Sequence, residues 1–379
     1  MRFLLGVLGV AVVLGTYSSV VRTVVMPRPS RSSLARMVQG VLHGAFQLVA
    51  DRCRTVEGKD KVLAPVAPLS LLLTLVVWLG SFMVGYALLE ASVSGLGPKA
   101  ALIEAGSSLF TLGFASSQRS VLTAVDFLAA ATGPIVIALQ ISYLPSLYSA
   151  YARREAEVTL LQSRAGSPPW GPEILARYAQ TELLDSLDSL FGNWERWAAE
   201  VNESHTTYPV LIHFRSARPT RNWLVCLLAV LDAGALQLAF NPSRRQTPVR
   251  LALRAGFVCL RDLADVRGIP YDADPLPDSQ IDLSYRQFLE GVARMEQQGF
   301  PMERTPEQAW PHFHGWRVNY ESLAYRLAYD IEAVPAPWSG PRRRPSVVVT
   351  PTTPRDRRPG GVTVEHQYLP GLGKIGGEN

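Results

Sequence analysis

The residues best suited to chemistry in this chain run Ser107-Ser108-Leu109-Phe110-Thr111-Leu112-Gly113-Phe114-Ala115-Ser116-Ser117. Thr111 to Phe114 read threonine, any residue, glycine, aromatic, and they sit between two long apolar segments. Threonine brings a hydroxyl beside its carbonyl, and glycine frees the backbone to turn neighbouring carbonyls toward one side. Oxygens gathered in that way replace the water that a cation loses on entering a narrow path. The chemistry is coordination and passage of an ion, not the making of bonds.

No competing set of residues reaches the same level. Ser204-His205 is adjacent in sequence but lacks a GxSxG nucleophile elbow, and it reads as a turn at a helix end. His312 and His314, near Trp310 and Trp316, have no acidic or thiol partner for a metal. Asp272, Asp274 and Asp278 form an acidic loop without the glycine and final glutamate of an EF-hand. Cys53, Cys226 and Cys259 are odd in number and widely spaced, which fits inert thiols and a reducing compartment for the soluble half. No GxGxxG follows a strand, and no apolar helix carries arginines every third residue. An enzyme, a resident metal and a cofactor are therefore not expected.

The elements that must position the loop come from the apolar pattern. The chain has 379 residues, of which 18% are charged, and its mean hydropathy is positive. The apolar excess lies in the first 150 residues, so a membrane half precedes a soluble half. Phe3 to Val25, Leu69 to Leu89 and Val121 to Tyr148 are each long enough to cross a core of about 30 Å. The first has a weak basic start and a long apolar run, which favours a retained helix over a cleaved signal peptide.

Charge sets the orientation, because basic short loops stay in the cytoplasm. Arg28, Arg31, Arg36, Arg52, Arg54, Lys59 and Lys61 fall between the first two spans, and Arg153, Arg154 and Arg164 follow the third. Only Lys99 and Arg119 lie in the connection between the second and third. The expected topology is a multi-pass protein of the cell membrane with its N-terminus outside, the Thr111 loop outside and the C-terminal half in the cytoplasm. The net charge of +5 is explained by these loops and the tail, so nucleic acid is not an expected partner.

Pro98 to Phe110 is too short to span and has small residues at Ala100, Ala101, Ala105 and Gly106. As a helix it would aim its partial negative end at the Thr111 loop. Gly133-Pro134 falls mid-helix in the third span, where a break would kink it; a gating hinge and plain packing both fit. Thr132 and Gln140 are polar positions suited to a wet cavity, Asp126 near the outer end needs a partner, and Glu104 is placed to brace the loop.

Taken together, Leu69 to Tyr151 resembles the outer helix, pore loop and inner helix of the potassium channel superfamily. Thr111, Leu112, Gly113 and Phe114 match the filter pattern Thr-Val-Gly-Tyr-Gly position by position. Ala115 stands where the second glycine belongs, and Ser116 where an acidic residue is common. The resemblance implies passive conduction of potassium or another monovalent cation, with Thr111 to Ala115 as filter. One loop per chain cannot surround an ion, so a homotetramer in a lipid bilayer is implied.

The soluble half reads as an all-α bundle. Helices are expected at 173–180, 182–201, 223–240, 249–266, 283–297 and 320–331, and the inner helix runs on to Ala165. The segment 223–240 is apolar enough to span, yet Asp232 at its middle marks a buried bundle helix. The whole is all-α: an N-terminal helix over 1–26, a basic loop with an interfacial helix (34–49) over 27–67, a pore domain over 68–152, a cytosolic helical domain over 153–334, and a disordered basic tail over 335–379. The alternative to conduction is a non-conducting membrane scaffold or sensor whose helical domain binds an unknown cytosolic ligand or protein.

Overall fold

The computed structural model describes residues 2–26, 32–115, 120–344 and 346–352, with the side chains of residues 120 and 121 left aside. Among the described residues the chain is all-helical; the one extended pairing is an isolated bridge between Ser167 and Thr352. It divides into two compact units, Met1–Ser149 and Ala150–Asn379.

In the first unit α1 (Arg2–Val20) continues as a π-helical turn, Val21–Val25, and is followed by α2 (Ser33–Ala50) and α3 (Val56–Leu63). The long α4 (Val66–Ser94) ends where Gly95 adopts a left-handed conformation. The short α5 (Pro98–Leu109) starts with its proline in the first turn, where no amide partner is needed. The helix α6 (Ser120–Ala165) runs unbroken through Pro134 and Pro145.

These helices share one core. Val13 and Val20 from α1, Trp78, Phe82 and Tyr86 from α4, Ala101, Ala105 and Leu109 from α5, and Ala129 and Val136 from α6 are all buried together. Lipid is as apolar as these side chains, so close packing and hydrogen bonds hold them. Gly85 illustrates the first, because a methyl group there would come within 2.8 Å of Val13 Cγ2. For the second, Trp78 Nε1 donates to Ser19 Oγ (2.9 Å), which pairs in turn with Ser32 Oγ (2.7 Å). The first helix is thus part of the core of this unit.

The second unit is built round α9 (Trp223–Phe240), every residue of which is buried. Around it lie α7 (Gly171–Gln180), α8 (Leu187–Thr207), α10 (Thr247–Arg267), α11 (Tyr285–Gln297), α12 (Pro306–Arg317) and α13 (Glu321–Asp330). Four helical stretches among the described residues are long and apolar enough to cross a membrane: Arg2–Val25, Val56–Ser94, Leu122–Ala165 and Trp223–Phe240. The last is enclosed by its own unit, with Asp232 paired to Arg317. That is the buried bundle helix its central acid foretold.

Two expectations are corrected here. The helix α3 falls in the stretch expected as a basic loop, and α12, between 297 and 320, is a helix beyond those expected. The tail is packed up to Arg342: Trp338 meets Trp170 edge-on at 5.6 Å, and Arg342 donates to the carbonyls of Ala333 (2.6 Å), Val334 (2.7 Å) and Ser339 (2.8 Å). Its bulk and its hydrogen bonds outweigh a Pro-rich composition. The remainder from residue 353 lies outside the described residues.

At the start of the second unit Arg154, fully buried, donates to Leu211 O (2.9 Å), Phe214 O (2.8 Å), Glu155 Oε1 (2.8 Å) and His205 Nε2 (3.0 Å). A guanidinium only donates, so Nε2 accepts and Nδ1, 3.0 Å from Ser204 Oγ, carries the proton. Burial, and then the charge of Arg154, hold His205 well below the ordinary histidine range. The sign follows directly. Below the unfolded value of about 6.5 the unfolded chain binds a proton that the folded chain refuses, so stability is complete above about pH 6.5 and falls as pH drops. The slope reaches about 1.4 kcal/mol per pH unit. Melting of the full chain between about pH 7.5 and about pH 5 checks this. His205→Gln, which keeps an acceptor and does not titrate, is expected to flatten the acid limb; equal slopes would remove His205 as its cause.

Candidate functional site

The loop sits at the C-terminal end of α5, which packs between α4 and α6. Two serines of α5 tie it down. Leu112 N donates to Ser107 O (2.8 Å), Thr111 N to Ser108 O (3.0 Å), and Ala115 N to Ser107 Oγ (3.1 Å). Between these ties Thr111 and Gly113 both adopt positive φ, 55° and 72°. For a β-branched threonine that conformation is an outlier, of the kind stored where a surrounding structure demands it. Alternate residues of left-handed backbone swing their carbonyls away from the direction of an ordinary turn.

Thr111, Leu112, Gly113 and Phe114 are all exposed, with Leu112 at 61% and Phe114 at 67%. Ala115 is not among the residues of positive φ, so its methyl group costs no backbone strain at that position. Ser116 lies outside the described residues.

The other expected positions fall differently. Asp126 finds its partner in Ser108, whose hydroxyl donates to Oδ1 at 2.6 Å. Glu104 is buried on α5, and the hydrogen bonds that hold the described loop come from Ser107 and Ser108. Thr132 does not face a cavity within its own chain. It is fully buried, receives hydrogen bonding from Tyr17 and Tyr86 (2.7 Å to the latter), and returns its own to Leu128 O at 2.7 Å. Gln140 is likewise closed off, at 5% exposure.

Gly133 lies against the end of α5, where a Cβ would collide with the carbonyl oxygen of Leu109. Packing, the second of its two readings, accounts for that glycine, and α6 passes Pro134 without interruption. Tyr17, Tyr86 and Glu90 are positions that sequence reasoning missed, and Ser107 and Ser108, named there as part of the loop motif, act as its ties. Glu90 alone left a signal, as an acid that closes an uninterrupted apolar run.

The alternative chemistry gathers less. Ser204 and His205 lie in the last turn of α8, both buried, with Ser204 Oγ donating to Glu200 O (2.6 Å). His314 Nδ1 contacts Pro277 O (2.9 Å), and Asp272 Oδ1 accepts from Asp274 N (3.0 Å). Among the described residues no group of three potential ligands is placed to hold a metal.

No protein-family model matches the chain. No solved structure matches it either. It is 22% identical over 267 residues, 66% of this chain and 73% of the other, to a protein of Bacillus subtilis (strain 168) described as "Uncharacterized membrane protein YdjJ". That similarity and the apolar helices together make this a membrane protein.

Proposed function

We propose that the chain conducts a monovalent cation passively through a homotetrameric, potassium-channel-like pore, with Thr111, Leu112, Gly113, Phe114 and Ala115 as filter. The observation that carries the reading is a strained, exposed loop on a short helix packed by one face between two long apolar helices, with left-handed backbone at Thr111 and Gly113. Backbone carbonyls are the ligands such a loop has to offer. Three further copies would cover Leu112 and Phe114 and supply the remaining oxygens. Non-helical backbone at membrane depth is tolerated only when so buried or when it lines water.

In this reading the loop faces the outside and the second unit the cytoplasm, as the basic residues suggest. The contact between Gly133 and Leu109 gives the hinge idea a physical form, because bending α6 there would shift the base of the loop. The second unit would assemble or gate the pore.

The test is flux from liposomes holding the purified chain, potassium against sodium. Potassium-selective flux supports the proposal in full, and flux without selectivity supports conduction through a filter altered at Ala115. No flux across pH, calcium and voltage would favour the membrane scaffold whose helical unit binds a cytosolic partner.

A further inference from the structure

The helix α2 shows an inverted exposure pattern. Its outward stripe is apolar: Met37 is 59% exposed, Val41 68% and Leu48 69%, with Gly40, Gly44 and Ala45 between them. Its inward side is polar, for Gln39 and His43 are half-buried and Gln47 is buried. A helix facing water is the other way round, with its apolar stripe toward the core.

Its position follows from contacts at both ends. Ser32, the N-cap of α2, bonds Ser19, which accepts from Trp78 of α4. Ala50 at the other end clusters with Leu63 and with Val66, the first residue of α4. Trp78 lies about 18 Å along α4 from Val66, at about 1.5 Å per residue. The helix α2 therefore runs antiparallel beside the first half of α4, where Leu69, Leu72, Leu73 and Val76 are also exposed. Arg52 and Arg54 stand exposed just past its end.

We infer that α2 is a lipid-facing helix, with Met37, Val41, Ala45 and Leu48 against the acyl chains of the leaflet that α4 enters first and Arg52 and Arg54 at its phosphates. Charge and continuity both favour this occupant. From Met37 to Leu48 the exposed apolar band of α4 continues across α2 without a charge; Arg36 stands exposed in the first turn of α2, and Arg52 and Arg54 follow its last. The segment is thus membrane-embedded rather than a cytoplasmic loop resting on the surface. The inference rests on the membrane reading and is independent of conduction.

Site-directed spin labelling of the full chain in nanodiscs of zwitterionic and anionic lipid tests it. Labels are placed through Val41→Cys, Leu48→Cys, Gln39→Cys and Arg54→Cys in a Cys53→Ser background, since Cys226 and Cys259 are buried. Collision with oxygen, which concentrates in lipid, is compared with collision with a water-soluble nickel chelate. At positions 41 and 48 oxygen is expected to exceed nickel several-fold; at 39 both are low, and at 54 nickel prevails. Nickel exceeding oxygen at 41 and 48 would put the stripe in water. Low values for both reagents there would mean protein covers it, such as a second copy packed over Gly40 and Gly44. Either result overturns the inference, whether or not the chain carries ions.

Discussion

Gly113→Ala is expected to abolish cation flux in the liposome assay while leaving yield, melting and oligomer size unchanged. The contrast arises from where the residue sits. Gly113 holds φ at 72°, and among the described residues no atom lies within 4 Å of an added Cβ. The methyl group therefore meets nothing within its own subunit. Its cost is conformational, about 1–2 kcal/mol for a left-handed L-residue, and the loop relieves it by returning to negative φ. In the proposed pore, that relief would turn the Gly113 peptide and remove its carbonyl from the coordinating set of each copy. The ties of Ser107 and Ser108 to the loop ends do not depend on it. Ala115 has no such requirement, which is why an alanine is tolerated two residues further on. Undiminished flux in the Gly113→Ala protein would sink the filter assignment, because the proposed carbonyl path from Thr111 to Ala115 depends on the left-handed backbone at Gly113.

Much of the framework was legible because it is local. Pro98 marks the start of α5, Asn222 caps α9 through its side chain at the expected start, and Gly166 follows the expected end of α6. Asp232 declared α9 a bundle helix. What escaped were elements whose local signal opposes their structure. The helix α12 contains Pro306 and Pro311 and is not among the expected helices, yet a Thr305–Gln308 capping box starts it and Phe313 anchors it in the core. The short α3 carries Gly58 and mixed charges and stands by its contact with α2. Composition likewise hid the packed segment at Trp338.

The loop itself was visible as four residues between apolar helices. Its supports were not, because they depend on which helix faces meet. Thr132 looks like a cavity polar group until Tyr17, from a helix 115 residues earlier, is placed beside it. Gly133 reads equally as hinge or as packing, and only the fold puts Leu109 against it. Glu104 was expected to brace a loop that Ser107 and Ser108 hold instead. Periodicity tells which side of a helix is apolar, and it says nothing of what lies opposite a polar residue on that side.

Arg317→Met is expected to cause the largest loss of stability of any single change in the second unit. The Arg317 side chain is wholly buried, ion-paired with Asp232 and with Glu321 (2.8 Å), and it donates to Tyr325 OH (2.9 Å) and Trp338 O (2.9 Å). Phe313, Tyr320, Tyr325 and Trp338 surround the guanidinium at 5.6 to 5.9 Å. Methionine fills much of the volume but leaves two buried carboxylates without their counter-charge. Breaking a buried pair from one side typically costs about 3–5 kcal/mol, since the remaining charge has neither water nor partner. For a unit of this size roughly 2–4 °C per kcal/mol applies, which gives a fall in melting temperature of about 10 °C. Glu321 retains two backbone amides, Asp282 (2.6 Å) and Leu283 (3.1 Å), against one hydroxyl, Tyr320 (2.8 Å), for the deeper Asp232, so the larger part of the loss should lie with Asp232. Arg317→Met combined with Asp232→Leu therefore recovers part of the stability, because replacing both partners removes the stranded charge. Melting of the single and double variants in the full chain decides between this and a purely steric role. A double variant no more stable than Arg317→Met would mean that lost packing around the guanidinium, and not the unpaired carboxylate, sets the cost.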